Sequence, residues 1–302
     1  MKILLFGRGG QVGWELQRSL SVLGEVVALD FDATQNPQGL CGSFSDLAGL
    51  AATVQAVKPD VIVNAAAHTA VDKAESEPDF ARSLNALAPG VLATEARKLG
   101  AWLVHYSTDY VFDGSGNTPW NETDATGPLS VYGQTKLEGE LAVATNPKHI
   151  TLRTSWVYAA RGGNFANTML RLATEREALT VIDDQFGAPT SAELLADVTA
   201  HCLRLAMAQP ALAGLYHCVA AGETNWHGYA RFVLKTAQNL GWALKANPDQ
   251  VTATSTASYP TPAQRPLNSR LNTTKLQEAF GLTLPHWQNG VARMLTEITG
   301  KQ

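Results

Sequence analysis

The chain has 302 residues, of which 45% are hydrophobic and 17% charged, and its formal net charge is -4. These values are typical of a soluble globular protein long enough for one or two domains, and the charge gives no reason to expect nucleic acid or an anionic membrane as partner. No apolar run approaches the roughly 18 residues of a membrane span, and "MKILLFGRGG" is not a signal peptide. Three cysteines, Cys41, Cys202 and Cys218, are too few for a disulfide framework and predict a cytoplasmic protein.

Short β-like runs alternate with helical patterns through the first half of the chain. Apolar and β-branched runs predict strands at 3–7, 25–30, 61–67, 101–107 and 150–158. Helical spacing of apolar residues predicts helices at 11–24, 46–60, 78–99 and 130–145. Strands that alternate with helices form parallel sheets with right-handed crossovers, so the predicted fold class is α/β, a Rossmann-type doubly wound parallel sheet.

The second half is less regular and predicts a smaller domain. A strand and Gly/Pro turn are predicted at 179–191, helices at 191–208 and 225–241, and a strand at 213–219, followed by a proline-containing ordered loop at 258–276. We predict a dinucleotide-binding domain over 1–155 and a mainly substrate-binding C-terminal domain over 156–302. Segments near 180–218 are candidates for additional elements of the first domain, packed in or against its sheet.

A glycine-rich turn, "GRGGQVG", joins the first strand to the first helix. Gly7, Gly10 and Gly13 stand at three-residue intervals, which allows a tight turn and a close approach of a pyrophosphate to the helix N-terminus. Asp30 ends the second strand, where a carboxylate would accept hydrogen bonds from the adenine ribose and favour NADH. Because Arg8 could offset its repulsion of a 2′-phosphate, use of both NADH and NADPH is predicted.

Candidate catalytic groups gather where ligands of parallel sheets bind, beyond the C-terminal ends of the strands. Thr108 and Asp109 end the fourth strand, and Tyr132 and Lys136 occupy positions i and i+4 of the next helix, on one face. A nearby ammonium and the charge of a nicotinamide are expected to lower the pKa of the tyrosine. The phenol would then exchange a proton with a carbonyl oxygen as hydride moves to or from carbon.

These residues lie in motifs that resemble the extended short-chain dehydrogenase/reductases, and within them the reductases of nucleotide-linked keto-sugars. The segments that carry the resemblance span nearly the whole chain: "GQVGWELQR", "VIVNAAAHTAVDKAESEP", "YSTDYVFDG", "VYGQTKLEGE", "RTSWVY", "DDQFGAPTSAELLAD" and "RPLNSRLNT". The resemblance implies NAD(P)H-dependent reduction of the C4 ketone of dTDP-4-dehydro-6-deoxy-L-mannose to dTDP-L-rhamnose. The implied partner is therefore a dTDP-sugar.

The resemblance also implies roles for individual residues. Tyr132 would be the proton donor, Lys136 its partner and ribose ligand, and Thr108 the third catalytic member. Implied cofactor contacts are Gly10, Gln11, Val12, Asp30, Ala67, His68, Thr69 and Tyr106, with Ser43 and Phe44 against the adenine. Thr108, Asp109 and Trp156 would contact the sugar nucleotide. Some members are homodimers bridged by Mg²⁺ through glutamates, and the matching positions are Glu15, Glu193 and Glu297.

Three alternatives remain open from the sequence. Related dehydratases carry a Thr-Asp-Glu triplet, but the third position here is Tyr110, so the paired acid is missing. An epimerase would show the same Tyr-x-x-x-Lys pattern. A non-catalytic nucleotide-binding subunit, like the regulatory subunit of methionine adenosyltransferase, would share the fold, although the intact set of Thr108, Tyr132 and Lys136 argues against it.

Overall fold

Alternating strands and helices continue through the first half of the chain. The structure, a computed structural model, describes residues 1–32, 34 and 36–300, so the last two residues of the predicted second domain lie outside it. The elements of this half are β1 (Lys2–Phe6), α1 (Gln11–Ser21), β2 (Glu25–Leu29), α2 (Leu47–Val57), β3 (Val61–Asn64), α3 (Val71–Ser76), α4 (Pro78–Arg82), α5 (Ala88–Leu99), β4 (Trp102–Thr108), α6 (Val131–Val143) and β5 (His149–Thr154).

The second half contains shorter strands and four longer helices within the described residues. Its elements are β6 (Val157–Tyr158), α7 (Phe165–Glu175), β7 (Leu179–Ile182), β8 (Phe186–Gly187), β9 (Thr190–Ser191), α8 (Ala192–Ala208), β10 (Gly214–His217), β11 (Thr224–Asn225), α9 (Trp226–Asn239), β12 (Val251–Thr254), α10 (Thr274–Phe280) and α11 (Trp287–Thr299). The strand predicted at 150–158 is interrupted, because Trp156 has a φ of 49°, in the left-handed region that a strand does not use.

A parallel sheet forms the centre of the molecule, which confirms the predicted fold class. Among the described residues, six strands pair in the order β10-β5-β4-β3-β1-β2, and every pairing is parallel. The strand order reverses between β1 and β3, and in open α/β sheets ligands bind in the crevice at such a reversal. The topology therefore places a binding site beyond Phe6 and Asn64, where these two strands end.

Helices cover both faces of the sheet. On one face α1, α8 and α10 bury Leu16, Leu195 and Phe280 against the strands. On the other, α2 and α5 bury side chains such as Leu50 and Leu92. Since α8, β10 and α10 belong to the second half, we propose that the dinucleotide-binding domain consists of residues 1–155 together with these three returning elements.

The remaining part of the second half has its own apolar core. Helices α7, α9 and α11 pack around buried aromatic side chains, among them Tyr158, Tyr229 and Trp287. Small two-stranded sheets, β6 with β9, β7 with β12 and β8 with β11, join the helices. None of the described helices has the length and apolar character needed to cross a membrane.

A π-helical turn interrupts the helix predicted at 78–99. Residues Ser83–Leu87 adopt it between α4 and α5, just before Pro89, which has no N–H to donate. The buried Asn85 in this turn accepts a hydrogen bond from the His68 backbone N–H at 2.8 Å and donates to the Thr135 hydroxyl at 3.1 Å. The turn thereby ties the loop after β3 to helix α6, two elements that border the crevice.

Candidate active site

A single cavity of about 870 Å³ opens at the predicted crevice. It brings together most of the residues predicted from the sequence: Gly7, Gly10, Gln11, Val12, Asp30, Ser43, Phe44, Ala67, Thr69, Tyr106, Thr108, Asp109, Tyr132, Lys136 and Trp156. Six predicted residues do not line it, namely Arg8, Gly13, His68, Glu15, Glu193 and Glu297.

The glycine-rich turn has no room for side chains. Gly7 has a φ of 83°, and a Cβ there would lie 2.7 Å from the backbone nitrogen of Ala66. A Cβ on Gly13 would overlap the Gly7 carbonyl, so this glycine shapes the turn from behind rather than facing the cavity. Gly10 is the N-cap of α1 and offers no side-chain acceptor, which leaves the first N–H groups of the helix available. A diphosphate fits this end of the cavity.

Asp30 faces the cavity at the end of β2. Its Oδ1 accepts a hydrogen bond from the Phe31 backbone N–H at 2.8 Å. Its backbone N–H and C=O are both bonded by the side chain of Asn36, each at 2.8 Å. Sequence reasoning did not identify Asn36, which holds Asp30 in place through a contact six residues away.

Tyr132 and Lys136 occupy the first turns of α6. Ser130 caps this helix by accepting a hydrogen bond from the Gly133 N–H at 3.2 Å, which orients Tyr132 toward the end of β4. Lys136 is buried, and its Nζ donates to the Tyr106 carbonyl oxygen at 2.6 Å. The helix therefore presents the phenol to the cavity and holds the lysine nitrogen beside β4.

Burial controls the protonation of both side chains. It raises the pKa of Tyr132 to about 12, although interaction with the Thr108 hydroxyl acts in the opposite direction. It lowers the pKa of Lys136 to about 8, against the effect of Glu140. In the protein alone desolvation dominates the pKa of Tyr132, and the lysine nitrogen is held at the Tyr106 carbonyl oxygen. The lowering that we predicted depends on the charge of a bound nicotinamide and stays a prediction.

The cavity that Tyr132 lines also contains buried polar atoms without a hydrogen-bond partner among the described residues. Thr108 donates a hydrogen bond to Asp109 Oδ1 at 3.1 Å, whereas Asp109 Oδ2 has no partner among the described residues. Burial raises the pKa of Asp109 to about 7. The hydroxyls of Ser107 and Thr154 belong to residues that also line the cavity; both are buried, and neither has a hydrogen-bond partner in the part of the chain that the structure describes. Such groups are costly to bury alone, so this end of the cavity suits a ligand rich in hydroxyl and carbonyl groups.

Two stacked tryptophans form an apolar wall of the cavity. Trp156 and Trp226 lie with ring centroids 3.7 Å apart and planes 17° from parallel. The positive φ of Trp156 turns its indole out of the line of β5, a conformation that costs energy for a bulky residue and marks functional sites. Sequence reasoning missed Trp226, since no local pattern links the start of α9 to residue 156.

His68 points away from the cavity. Its Nε2 lies 2.6 Å from Glu77 Oε1, and its ring packs edge-on against Phe80. Its neighbours Ala67 and Thr69 line the cavity instead. The His68 backbone N–H and C=O are both hydrogen-bonded to the side chain of Asn85, so the cofactor contact of His68 stays a prediction.

The three predicted metal ligands converge from α1, α8 and α11. Burial raises the pKa of Glu15, and the charges of Glu193 and Glu297 raise it further, which shows that the carboxylates lie near one another. Glu15 also lies 3.5 Å from Arg18, and Glu193 lies 3.2 Å from Arg293. Across the described part of the chain, no group of three or more acidic, histidine or cysteine side chains is arranged to hold a metal.

Comparison with known proteins agrees with this site. The family model described as "RmlD substrate binding domain" matches residues 1–299. A dTDP-4-dehydrorhamnose reductase of Shigella flexneri is 60% identical over 299 residues, which cover 99% of this chain and 98% of that protein.

Solved structures of such reductases have the same fold. One from Clostridium acetobutylicum superimposes with a TM-score of 0.86 at 35% identity, over 100% of this chain and 99% of that one. Another, from Bacillus anthracis in complex with NADP, gives a TM-score of 0.87 at 31% identity, over 98% and 99% of the two chains. The predicted resemblance is confirmed: the chain belongs to the dTDP-4-dehydrorhamnose reductase family, within the extended short-chain dehydrogenase/reductases.

Proposed function

We propose that the protein reduces the C4 ketone of dTDP-4-dehydro-6-deoxy-L-mannose to dTDP-L-rhamnose with NADPH or NADH, the last step of dTDP-rhamnose synthesis. The observation that carries this proposal is one cavity bordered by the glycine-rich turn, the Tyr132 phenol and the Trp156–Trp226 pair. A relative at 60% identity bears the name of this reductase, and a solved relative holds NADP.

The cofactor would lie along the switch point of the sheet. The turn at Gly7 and Gly10 would receive its diphosphate, Asp30 and Arg8 its adenine ribose, and Ser43 and Phe44 its adenine. Ala67, Thr69, Tyr106 and Lys136 border the route from there to the phenol. When bound, the nicotinamide supplies the hydride for C4.

Tyr132 would give its phenolic proton to the C4 oxygen as negative charge develops there. A pKa raised to about 12 keeps the phenol protonated at neutral pH, so the donor form predominates before reaction. Lys136 is buried one helical turn away, and its Nζ donates to the Tyr106 carbonyl oxygen. It would contact the ribose and return a proton to the phenolate of Tyr132.

The substrate would occupy the end of the cavity with unpartnered polar atoms. Thr108 and Asp109 would bind its polar groups, with Asp109 accepting from a hydroxyl. Asp109 Oδ2 has no close hydrogen-bond partner among the described residues, although Ser269 also interacts with this carboxyl. The indole of Trp156 would lie against the sugar ring or the deoxythymidine. These contacts would place C4 beside Tyr132 and exclude water from it.

We also propose a homodimer in the cytoplasm, with Mg²⁺ held between subunits by Glu15, Glu193 and Glu297. Carboxylate oxygens are the ligands that Mg²⁺ prefers. Burial first, and then the negative charges of Glu193 and Glu297, raise the pKa of Glu15, and a bound cation would offset this unfavourable environment. The three cysteines are unpaired, in keeping with a reducing compartment.

The decisive experiment incubates the purified protein with NADPH and the 4-keto sugar nucleotide. Oxidation of NADPH in equal amount to newly formed dTDP-L-rhamnose, identified by chromatography, is the expected result. An isomeric 4-keto sugar nucleotide formed without net NADPH oxidation would indicate an epimerase. Nucleotide binding without turnover would indicate a regulatory subunit, and either outcome would overturn the proposal.

A further inference from the structure

A row of buried polar groups lies behind Lys136, on the side away from the cavity. Besides the Tyr106 carbonyl oxygen, the lysine Nζ has one other close polar neighbour in the described chain, His105 Nε2 at 3.4 Å. His105 is in the middle of β4 with no exposed surface. Its other ring nitrogen, Nδ1, lies 3.0 Å from Asn64 Nδ2 on the neighbouring strand β3.

Asn64 determines which ring nitrogen of His105 carries hydrogen. The Ala66 backbone N–H donates to Asn64 Oδ1 at 3.0 Å, so the amide oxygen faces the backbone and the NH₂ group faces the imidazole. An amide NH₂ can only donate, and therefore His105 Nδ1 accepts. Burial, and secondarily the charge of Lys136, hold the pKa of His105 well below its usual range, so the ring is neutral. As long as Asn64 donates to Nδ1, the hydrogen of the neutral ring is on Nε2.

The Nε2–H group points at the lysine nitrogen. A neutral amine has a lone pair that accepts this hydrogen, but an ammonium has only donors, and two donors would face each other. When Lys136 takes up a proton from solvent, the imidazole remains neutral and must carry its hydrogen on Nδ1 instead. That tautomer offers Nε2 to the ammonium and gives up the hydrogen bond from Asn64.

Other charged groups near Lys136 are already engaged. Glu140, one turn further along α6, favours the ammonium form. However, it accepts two hydrogen bonds from Arg153 of β5, at 2.9 and 2.7 Å, within a pair that is almost fully buried. Glu140 is thus largely neutralised, and the contact that distinguishes the two forms of the lysine most directly is the one with His105.

We propose that His105, oriented by Asn64, is a positioning residue whose tautomer is coupled to the protonation of Lys136. The imidazole favours the neutral amine and makes the lysine able to accept a proton during turnover. This inference deepens the proposed function and rests on it for the role of Lys136 in the reaction. The coupling itself is a property of the folded chain and can be measured without substrate.

The test is ¹⁵N NMR of protein labelled at histidine, with the His105 signals assigned by their loss in His105→Phe. Between pH 6 and 10 the wild-type protein should change from the Nδ1–H to the Nε2–H tautomer as the pH rises, with a midpoint near the pKa of Lys136, about 8. Lys136→Met should keep Nε2–H throughout. A tautomer that is constant across this range in wild type would refute the coupling, whether or not the protein reduces the sugar nucleotide.

A kinetic test uses Asn64→Asp, which keeps an oxygen for the Ala66 N–H but replaces the NH₂ group by an acceptor. His105 must then carry hydrogen on Nδ1 and offer Nε2 to the ammonium. The ionisation assigned to Lys136 in the pH profile of kcat should move to higher pH, because Nε2 now accepts from the ammonium and the new carboxylate favours the positive charge. The matched control is His149→Gln, which changes a histidine of β5 whose ring is bonded to the Asn146 carbonyl oxygen. It should leave the pH profile of kcat unchanged. An unchanged profile in folded Asn64→Asp contradicts the proposal, and if that variant does not fold, the NMR measurement decides.

Discussion

Arg265 forms a two-pronged ion pair with Asp72, a residue 193 positions earlier in the chain. Its two terminal nitrogens donate to the two carboxylate oxygens at 3.1 and 2.8 Å. Arg265 also interacts with the side chain of Tyr110, whose ring lies edge-on to Tyr132 at 5.5 Å. The pair therefore attaches the proline-containing segment to the sheet domain beside the candidate catalytic tyrosine.

Asp72→Asn should affect substrate binding more than stability. We expect KM for the sugar nucleotide to rise by up to about fivefold with little change in KM for NADPH, since a partly exposed pair contributes up to about 1 kcal/mol. Glu175→Gln, which removes the exposed Arg171–Glu175 pair within α7, is the control and should change neither constant. An equal rise in KM for the sugar nucleotide and for NADPH would contradict this role of Asp72.

The stability contribution of Asp72 should depend on pH in one direction. The hydrogen bond from Arg265 lowers the pKa of Asp72 in the folded state. A lowered pKa stabilises the fold fully above the unfolded value of about 4, and the effect is lost as pH falls through the folded value. The difference in unfolding free energy between wild type and Asp72→Asn should thus shrink below about pH 4, as measured by urea titrations.

Tyr132→Phe should remove the proton donor and little else. The change deletes one oxygen, so we expect a folded protein that binds NADPH normally and has a kcat reduced by about 10²–10⁴-fold, the usual contribution of a general acid. Tyr216→Phe, which loses only a hydrogen bond to the Leu212 carbonyl oxygen, should keep kcat. A near-normal kcat for Tyr132→Phe across pH 6 to 9 would exclude the mechanism.

Asp30→Ala should shift cofactor choice toward NADPH. Loss of the carboxylate removes an acceptor for the adenine ribose and leaves Arg8 for a 2′-phosphate, so the affinity for NADH should fall more than that for NADPH. Steady-state kinetics with both cofactors measures this ratio. Asp79→Ala, at an exposed position of α4, is the control. If Asp30→Ala lowered the affinities for NADH and NADPH equally, Asp30 would not be a ligand of the adenine ribose.

Trp156→Ala should raise KM for the sugar nucleotide and leave the affinity for NADPH unchanged. The indole supplies an apolar face, and stacking of this kind contributes about 0.5–1.5 kcal/mol beyond area burial. Trp242→Phe, which loses a hydrogen bond to the Thr299 hydroxyl away from the cavity, is the control. A changed affinity for NADPH would show that Trp156 supports the fold instead.

Removal of Mg²⁺ should dissociate the dimer if the three glutamates hold the ion between subunits. We expect EDTA to lower the sedimentation coefficient of wild type and to have no further effect on Glu15→Gln, which lacks one ligand. Glu278→Gln, in α10, is the comparison and should respond to EDTA as wild type does. A sedimentation profile and a rate that EDTA leaves unchanged would rule out the metal.

The sequence by itself determined the features that depend on local order. Alternating strands and helices, the glycine spacing after β1 and the i, i+4 spacing of Tyr132 and Lys136 all follow from residues close together in the chain. They were sufficient for the parallel sheet, because backbone geometry converts such spacing directly into a shared face or a tight turn. Local order also located part of the cavity lining, and the family resemblance supplied the other predicted lining residues, among them Ala67, Thr69 and Trp156.

Only the tertiary structure decided which distant side chains meet. The stacking of Trp226 on Trp156 and the bond of Lys136 to the Tyr106 carbonyl oxygen each join residues from different elements. The raised pKa of Tyr132 likewise arises from burial by the assembled fold, which no spacing in the sequence reports. Desolvation and long-range contacts depend on how the elements pack in space, and for this reason the chemistry of the site became visible only when the chain was folded.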